Sequence, residues 1–350
     1  MIGLNSGRAN IHVVAEEWKT TLSSFLFNSR KKKLFVKSGT KTISSHDTYY
    51  EKMLGFVDYY YRRKKLRAKE RDWIKNELNY FKQNFDAIIL AEERDLLQYT
   101  AEYKKTTIDQ RKYVVNLFCR LMISLYESFK GYKDTKLGIS YSHKFFNLLN
   151  IRTCPYCNRQ YTFTLDERNA KTAPEYDHFY DKSDYPLLAV SFYNLVPSCH
   201  TCNHMKGTKK SVKVNPYFSG FESSFMLVDK TKKPLTKAEI LKHGGGTLAL
   251  LKADGSESLV DKGNIDCFGL EGLYALHDDY VSDLIAKVVA YNPTIEQALV
   301  SAFQGAGHSP QHVYDFVWGK YLEETQYEKR PLSKLTKEIL EQLGIRRKIL

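Results

Sequence analysis

Cys154-Pro155-Tyr156-Cys157 and Cys199-His200-Thr201-Cys202 share one spacing, and no other feature of this sequence limits its fold as tightly. A CxxC pair turns two thiolates towards one point, and two such pairs close the tetrahedron that zinc requires. In a reducing compartment these knuckles read as metal ligands rather than disulfides. The other two cysteines, Cys119 and Cys267, stand alone in apolar surroundings and read as small buried side chains. Between Cys157 and Cys199 lie 41 residues, more than a compact zinc ribbon uses. An element of substance is therefore expected between the knuckles.

The sequence on either side has a different texture. Residues 1–150 carry apolar positions at three- and four-residue spacing, which predicts long helices over 72–97 and 109–129. Residues 151–217 have short strand-like runs and turn residues, and form a compact module in this reading. In 218–268, Gly244-Gly245-Gly246, Asp254-Gly255 and Lys262-Gly263 are turn signals between short apolar runs and predict hairpins. Helical periodicity then returns over 270–291, 294–303 and 311–327, with a last helix capped by Ser333 and ended near Gly344. The expected division is 1–150, 151–217 and 218–350.

Lys plus Arg exceeds Asp plus Glu by 13, a surplus that attracts polyanions and points to nucleic acid. The densest basic run is Arg62 to Arg71, directly after Tyr59, Tyr60 and Tyr61. On one continuous helix Arg63, Arg67 and Arg71 share a face, and they are the expected nucleic-acid contacts there, with a solvated helix face as the plain alternative. A second basic cluster, Arg30 to Lys33 with Lys37, has the same two readings. No apolar run approaches the roughly 20 residues of a membrane span and no signal-peptide core opens the chain. A cytoplasmic location without membrane contact follows as the expectation. No GxxxxGK[ST] loop is present, so the chain is not expected to be an ATPase.

Between and after the knuckles the sequence reads Tyr176-Asp177-His178-Phe179, Asn194-Leu195, and Cys202-Asn203-His204-Met205-Lys206-Gly207. In this order and spacing it resembles the HNH endonuclease superfamily, whose zinc-bearing members place an Asp-His pair after a first CxxC and end on CNxxKG. Asp181 stands where many members have proline. The flanks, "NPYFSGF", "FGLEGLYALHDDYV" and "LSKLTKEILEQLG" among them, look like the HNH proteins encoded beside ATPases in bacterial anti-phage systems such as Septu. The resemblance covers about the second half of the chain. It implies an α+β fold: a mainly helical chain with an embedded ββα-metal, treble-clef-like module on a four-cysteine zinc site, whose two strands carry Asp177 and His178 on one side and whose helix starts near Cys202. It also implies an ATPase partner.

The chemistry fits the residue types. Phosphodiester hydrolysis needs a base near neutral pH, and histidine suits it, so His178 is the expected base. A hard divalent cation held by few oxygen ligands keeps positions open for phosphate. Asp177 and Asn203 are the expected ligands, with Mg2+ or Mn2+ favoured, and His204 is the alternative to Asn203. Asn194 is expected to bond backbone and hold His178 in place. Lys206 is a candidate phosphate contact, with Lys182, Lys209 and Lys210 behind it. The expected activity is cleavage of DNA. RNA cleavage and non-catalytic nucleic-acid binding by the zinc knuckles are the alternatives.

Overall fold

A computed structural model describes residues 1–4, 10–28, 48–134, 136–166, 171–208, 212–308 and 310–345. The basic cluster at 30–33 and 37, together with Lys209 and Lys210, lies outside the described residues. The chain forms two compact units. One comprises residues 9–149 and 177–196; the other comprises 1–8, 150–176 and 197–350.

The first, here the helical unit, contains α1 (Asn10–Phe27), α2 (Tyr49–Arg62), α3 (Ala68–Gln83), α4 (Phe85–Ile89), α5 (Glu93–Thr107), α6 (Lys112–Gly131) and α7 (Tyr141–Leu149). Trp18 on α1 is buried, with Phe129 of α6 and Phe145 of α7 edge-on at 4.9 and 4.8 Å. Its indole N–H donates to the Val190 carbonyl at 2.9 Å, so a large aromatic surface enters the core with its one donor satisfied. Residues Pro186–Val190 are buried at every position and form a 3-10 turn, in keeping with a run that is apolar on all sides. The helix expected over 72–97 is three helices. Asn84 ends α3, with its side-chain amide bonded to the Tyr80 carbonyl, and Glu92 is extended. Apolar periodicity continues across both corners because every piece still turns a face to the same core.

The second, here the cysteine unit, holds β1 (Leu165–Asp166), β2 (Lys171–Thr172), α8 (His200–Lys206), β5 (Ser224–Val228), α9 (Lys237–His243), β6 (Thr247–Leu251), α10 (Lys262–Cys267), α11 (Leu270–Ala275), α12 (Asp278–Ala290), α13 (Pro293–Gly305), α14 (Pro310–Trp318) and α15 (Ser333–Gln342). Strands β3 (Glu175–His178) and β4 (Leu195–Ser198) pair with each other, and the unit boundary crosses both. Each of the three described sheets has two strands.

β5 and β6 run antiparallel, Ser224 opposite Leu251 and Val228 opposite Thr247, with α9 between them in sequence. Gly244 at φ 72° supplies the left-handed residue that stops α9. The free edge of β5 is covered by side chains of α15: Phe225 N–H donates to Glu338, and Gln342 both accepts from Leu227 N–H and donates to its carbonyl, each at 2.8 Å. One helical turn separates the two side chains, so they meet alternate residues of the strand.

Three expected helix bounds shift. The helix over 270–291 breaks at His277, which is the N-terminal boundary of α12. The one over 311–327 stops at Trp318, where Gly319 takes φ 64°, and Glu324–Lys329 is a separate 3-10 turn. The residue capping α15 is Leu332 at φ 63°, while the Ser333 hydroxyl donates to the Arg330 carbonyl. No helix among the described residues is long and apolar enough to cross a membrane.

Candidate metal centre and the segment between the knuckles

Both knuckles belong to the cysteine unit, and the Sγ atoms of Cys154, Cys157, Cys199 and Cys202 lie within 4.8 Å of one another, all four residues buried. A zinc tetrahedron with Zn–S bonds of about 2.3 Å has edges of about 3.8 Å, so these residues fit zinc closely. Each knuckle turns backbone N–H groups onto sulfur: Arg159 N–H to Cys157 at 3.4 Å and Cys202 N–H to Cys199 at 3.5 Å. Burial pushes the Cys154 thiol well above its ordinary value, whereas hydrogen bonds from Cys154, Cys199 and Cys202 hold Cys157 well below it. Such a cluster favours a divalent cation, which turns four crowded thiols into thiolates with a common counter-charge.

The first knuckle is tied to the C-terminal helix through Asn158, a buried residue at φ 47°. Its amide donates to the Tyr327 carbonyl at 2.9 Å, its carbonyl accepts from Leu332 N–H at 2.6 Å, and its side-chain oxygen from Lys334 N–H at 3.2 Å. The Tyr274 hydroxyl donates to the Cys157 carbonyl. At the other end, Cys199 is the N-cap of α8 and Gly207 closes it at φ 48°, ψ −123°, a conformation essentially confined to glycine.

The helix expected to start near Cys202 therefore starts at His200. Asn203 on α8 is half-buried, and its Nδ2 donates to Glu175 Oε2 at 2.5 Å. Glu175, on β3, also pairs through Oε1 with His200 Nδ1 at 2.9 Å. His204 is exposed and stacks on His200, ring centroids 6.0 Å apart. Glu175 was missed in the sequence. The available signal was its place two residues before Asp177, since alternate residues of a strand share a face.

Asp177 and His178 end β3 within the helical unit, both buried. His178 Nε2 lies 3.0 Å from the Ala189 carbonyl and the ring packs edge-on against Tyr126 at 4.6 Å. A carbonyl only accepts, so Nε2 is the ring nitrogen that carries the hydrogen of this bond. Asn194, fully buried, accepts from Tyr180 N–H at 2.7 Å and donates to the carbonyls of Tyr180 and Leu188 at 3.1 and 3.0 Å. It thus fastens the turn after His178 to the turn that carries Ala189.

The expected basic contacts fare unevenly. Lys206 is 1 % exposed and so is not a surface cation. Lys182 lies 3.7 Å from Glu127, and burial lowers its pKa. Arg63, Arg67 and Arg71 do not line one helix face, because α2 ends at Arg62 and α3 begins at Ala68. Arg67 bonds Glu70, itself bonded by Arg111, and Arg71 bonds Asp72.

No protein-family model matches the sequence, nor does any solved structure. Over 66 residues it is 42% identical to the Septu protein PtuB of Bacillus thuringiensis. That stretch is 18% of this chain and 23% of the relative, so the match spans about a quarter of PtuB.

Proposed function

We propose that the protein is a metal-dependent endonuclease of the HNH type that hydrolyses DNA phosphodiester bonds as the nuclease of an anti-phage system, working with an ATPase partner. The observation that carries this reading is the four-cysteine cluster from which α8 projects Asn203, with His178 held at the end of β3 by the bond between its Nε2 and the Ala189 carbonyl. The similarity to PtuB supports the defence role and, through it, the partner.

In this reading zinc on the four cysteines fixes the knuckles, and Asp177 and Asn203 are the oxygen ligands of Mg2+ or Mn2+. The divalent cation supplies charge neutralisation at phosphate. His178 takes the proton of the attacking water on Nδ1 while Nε2–H stays on the Ala189 carbonyl, which keeps the ring oriented as it becomes cationic. Asn194 keeps that carbonyl in place through its bond to Leu188.

The test is His178→Gln rather than His178→Ala. Gln places an amide N–H where it can bond the Ala189 carbonyl and fills the space beside Tyr126, so folding is kept while the base is lost. Cleavage of DNA with Mn2+ is expected to fall about 100- to 10,000-fold, with zinc content and melting temperature near wild type. Cleavage within about threefold of wild type, far short of a base's usual contribution, rejects the mechanism. A wild-type protein that binds DNA and cuts neither DNA nor RNA returns the zinc knuckles to a binding role.

A further inference from the structure

The corner between α2 and α3 concentrates cations that have no acidic partner among the described residues. Tyr61, Arg62, Arg63, Lys64 and Lys65 are all exposed, as is Lys69 on the first turn of α3, while Leu66 is buried and anchors the corner. Asp58, the nearest acid before them, is paired with Lys75 at 2.6 Å, and Glu70, the nearest after, is taken by Arg67 and Arg111. The chain reverses here through a Schellman turn: Lys65 N–H reaches the Tyr60 carbonyl at 3.1 Å and Lys64 N–H the Tyr61 carbonyl at 2.8 Å. The left-handed position of that turn, φ 55°, is occupied by Lys64, where glycine carries no steric penalty. Local backbone energetics therefore do not account for the lysine. Arg63 and Lys65 lie over the rings of Tyr59 and Tyr60 at 5.4 and 5.5 Å, which holds both charges at the surface.

We infer that this corner binds the phosphate backbone of nucleic acid through Arg62, Arg63, Lys64 and Lys65, and that Lys64 is kept in a disfavoured conformation for that contact. A lipid surface is the competing outcome of the test, because the rings of Phe56, Tyr59 and Tyr61 are exposed beside these cations. The inference rests on the proposed function only in taking nucleic acid as the substrate. Duplex DNA binding is to be measured by anisotropy over a salt series without Mg2+ or Mn2+, and cleavage separately. In Arg62→Gln/Arg63→Gln/Lys64→Gln/Lys65→Gln the slope of log affinity against log salt should drop by about three to four, at about 0.9 for each phosphate contact. Arg67→Gln/Arg71→Gln, whose charges are already paired, should leave the slope within about 0.5 of wild type, less than one contact. Lys64→Gly should raise the melting temperature while losing one contact.

Equal slope changes in the first two variants reduce the effect to net charge and overturn the inference. So does an unchanged slope in the fourfold variant, or loss of binding to phosphatidylserine vesicles with DNA binding intact. An unchanged slope in the fourfold variant beside a wild type that cleaves DNA leaves the nuclease reading standing, and a reduced slope beside a wild type that cuts no DNA leaves only the docking corner.

Discussion

An ionised carboxylate accepts hydrogen bonds and donates none, so the bond between Glu175 and Asn203 Nδ2 settles which end of the Asn203 amide faces the acid. The amide oxygen is turned away and is the end that would take a cation under the proposed function. Glu175→Ala removes this restraint, and the Mn2+ concentration for half-maximal cleavage is expected to rise about 10- to 100-fold. Glu175→Gln keeps an acceptor in reach and should recover most of the loss; equal defects in both variants would show that the negative charge, not amide orientation, is what matters. At Glu70 the governing fact is a pair of arginines. Hydrogen bonding by Arg111, then by Arg67, lowers its pKa from 4.5 to about 2. A depressed carboxylate pKa stabilises the fold above pH 4.5 and ceases to as pH falls towards 2. Acid titration of the melting temperature should therefore steepen in that window, and Glu70→Gln should flatten it.

The helix α15 shows how an element becomes essential through what it covers. Gln342 serves three backbone groups, Leu227 N–H and the carbonyls of Leu227 and Leu235. Gln342→Ala takes the partner from Leu227 N–H and the Leu235 carbonyl, while the Leu227 carbonyl keeps its bond from Leu235 N–H, at a cost of about 1–3 kcal/mol read from chemical denaturation. The knuckles are the elements that a metal on the four cysteines would hold. Cys154→Ser and Cys202→Ser are each expected to lose zinc, measured by elemental analysis, and to lower the melting temperature, since the binding energy of such a site is folding energy. Retained zinc with an unchanged melting temperature in Cys154→Ser would remove the four-cysteine assignment. Helix positions were broadly legible from apolar periodicity, α6 most clearly, because a single long amphipathic stretch needs no partner to be read. The corners at Asn84 and His277 were not, since both helices flanking each corner keep the same spacing of apolar residues.

At the scale of the molecule, two compact units share a chain whose path crosses between them within β3 and β4. The sequence by itself determined what depends on neighbours along the chain: the CxxC spacing that gathers four thiols, the periodicity of the helices, and the glycine that closes α8. The tertiary structure alone decided what depends on chain path: the burial of Lys206, the pairing of Arg67 with Glu70 beside Arg111, the meeting of Glu175 with α8, and the clamp of Asn158 on the α15 terminus. A local pattern shows which charges and amides are present. Whether each meets water, an ion or another side chain is fixed by residues as far as 263 positions away, and no spacing rule reaches that far.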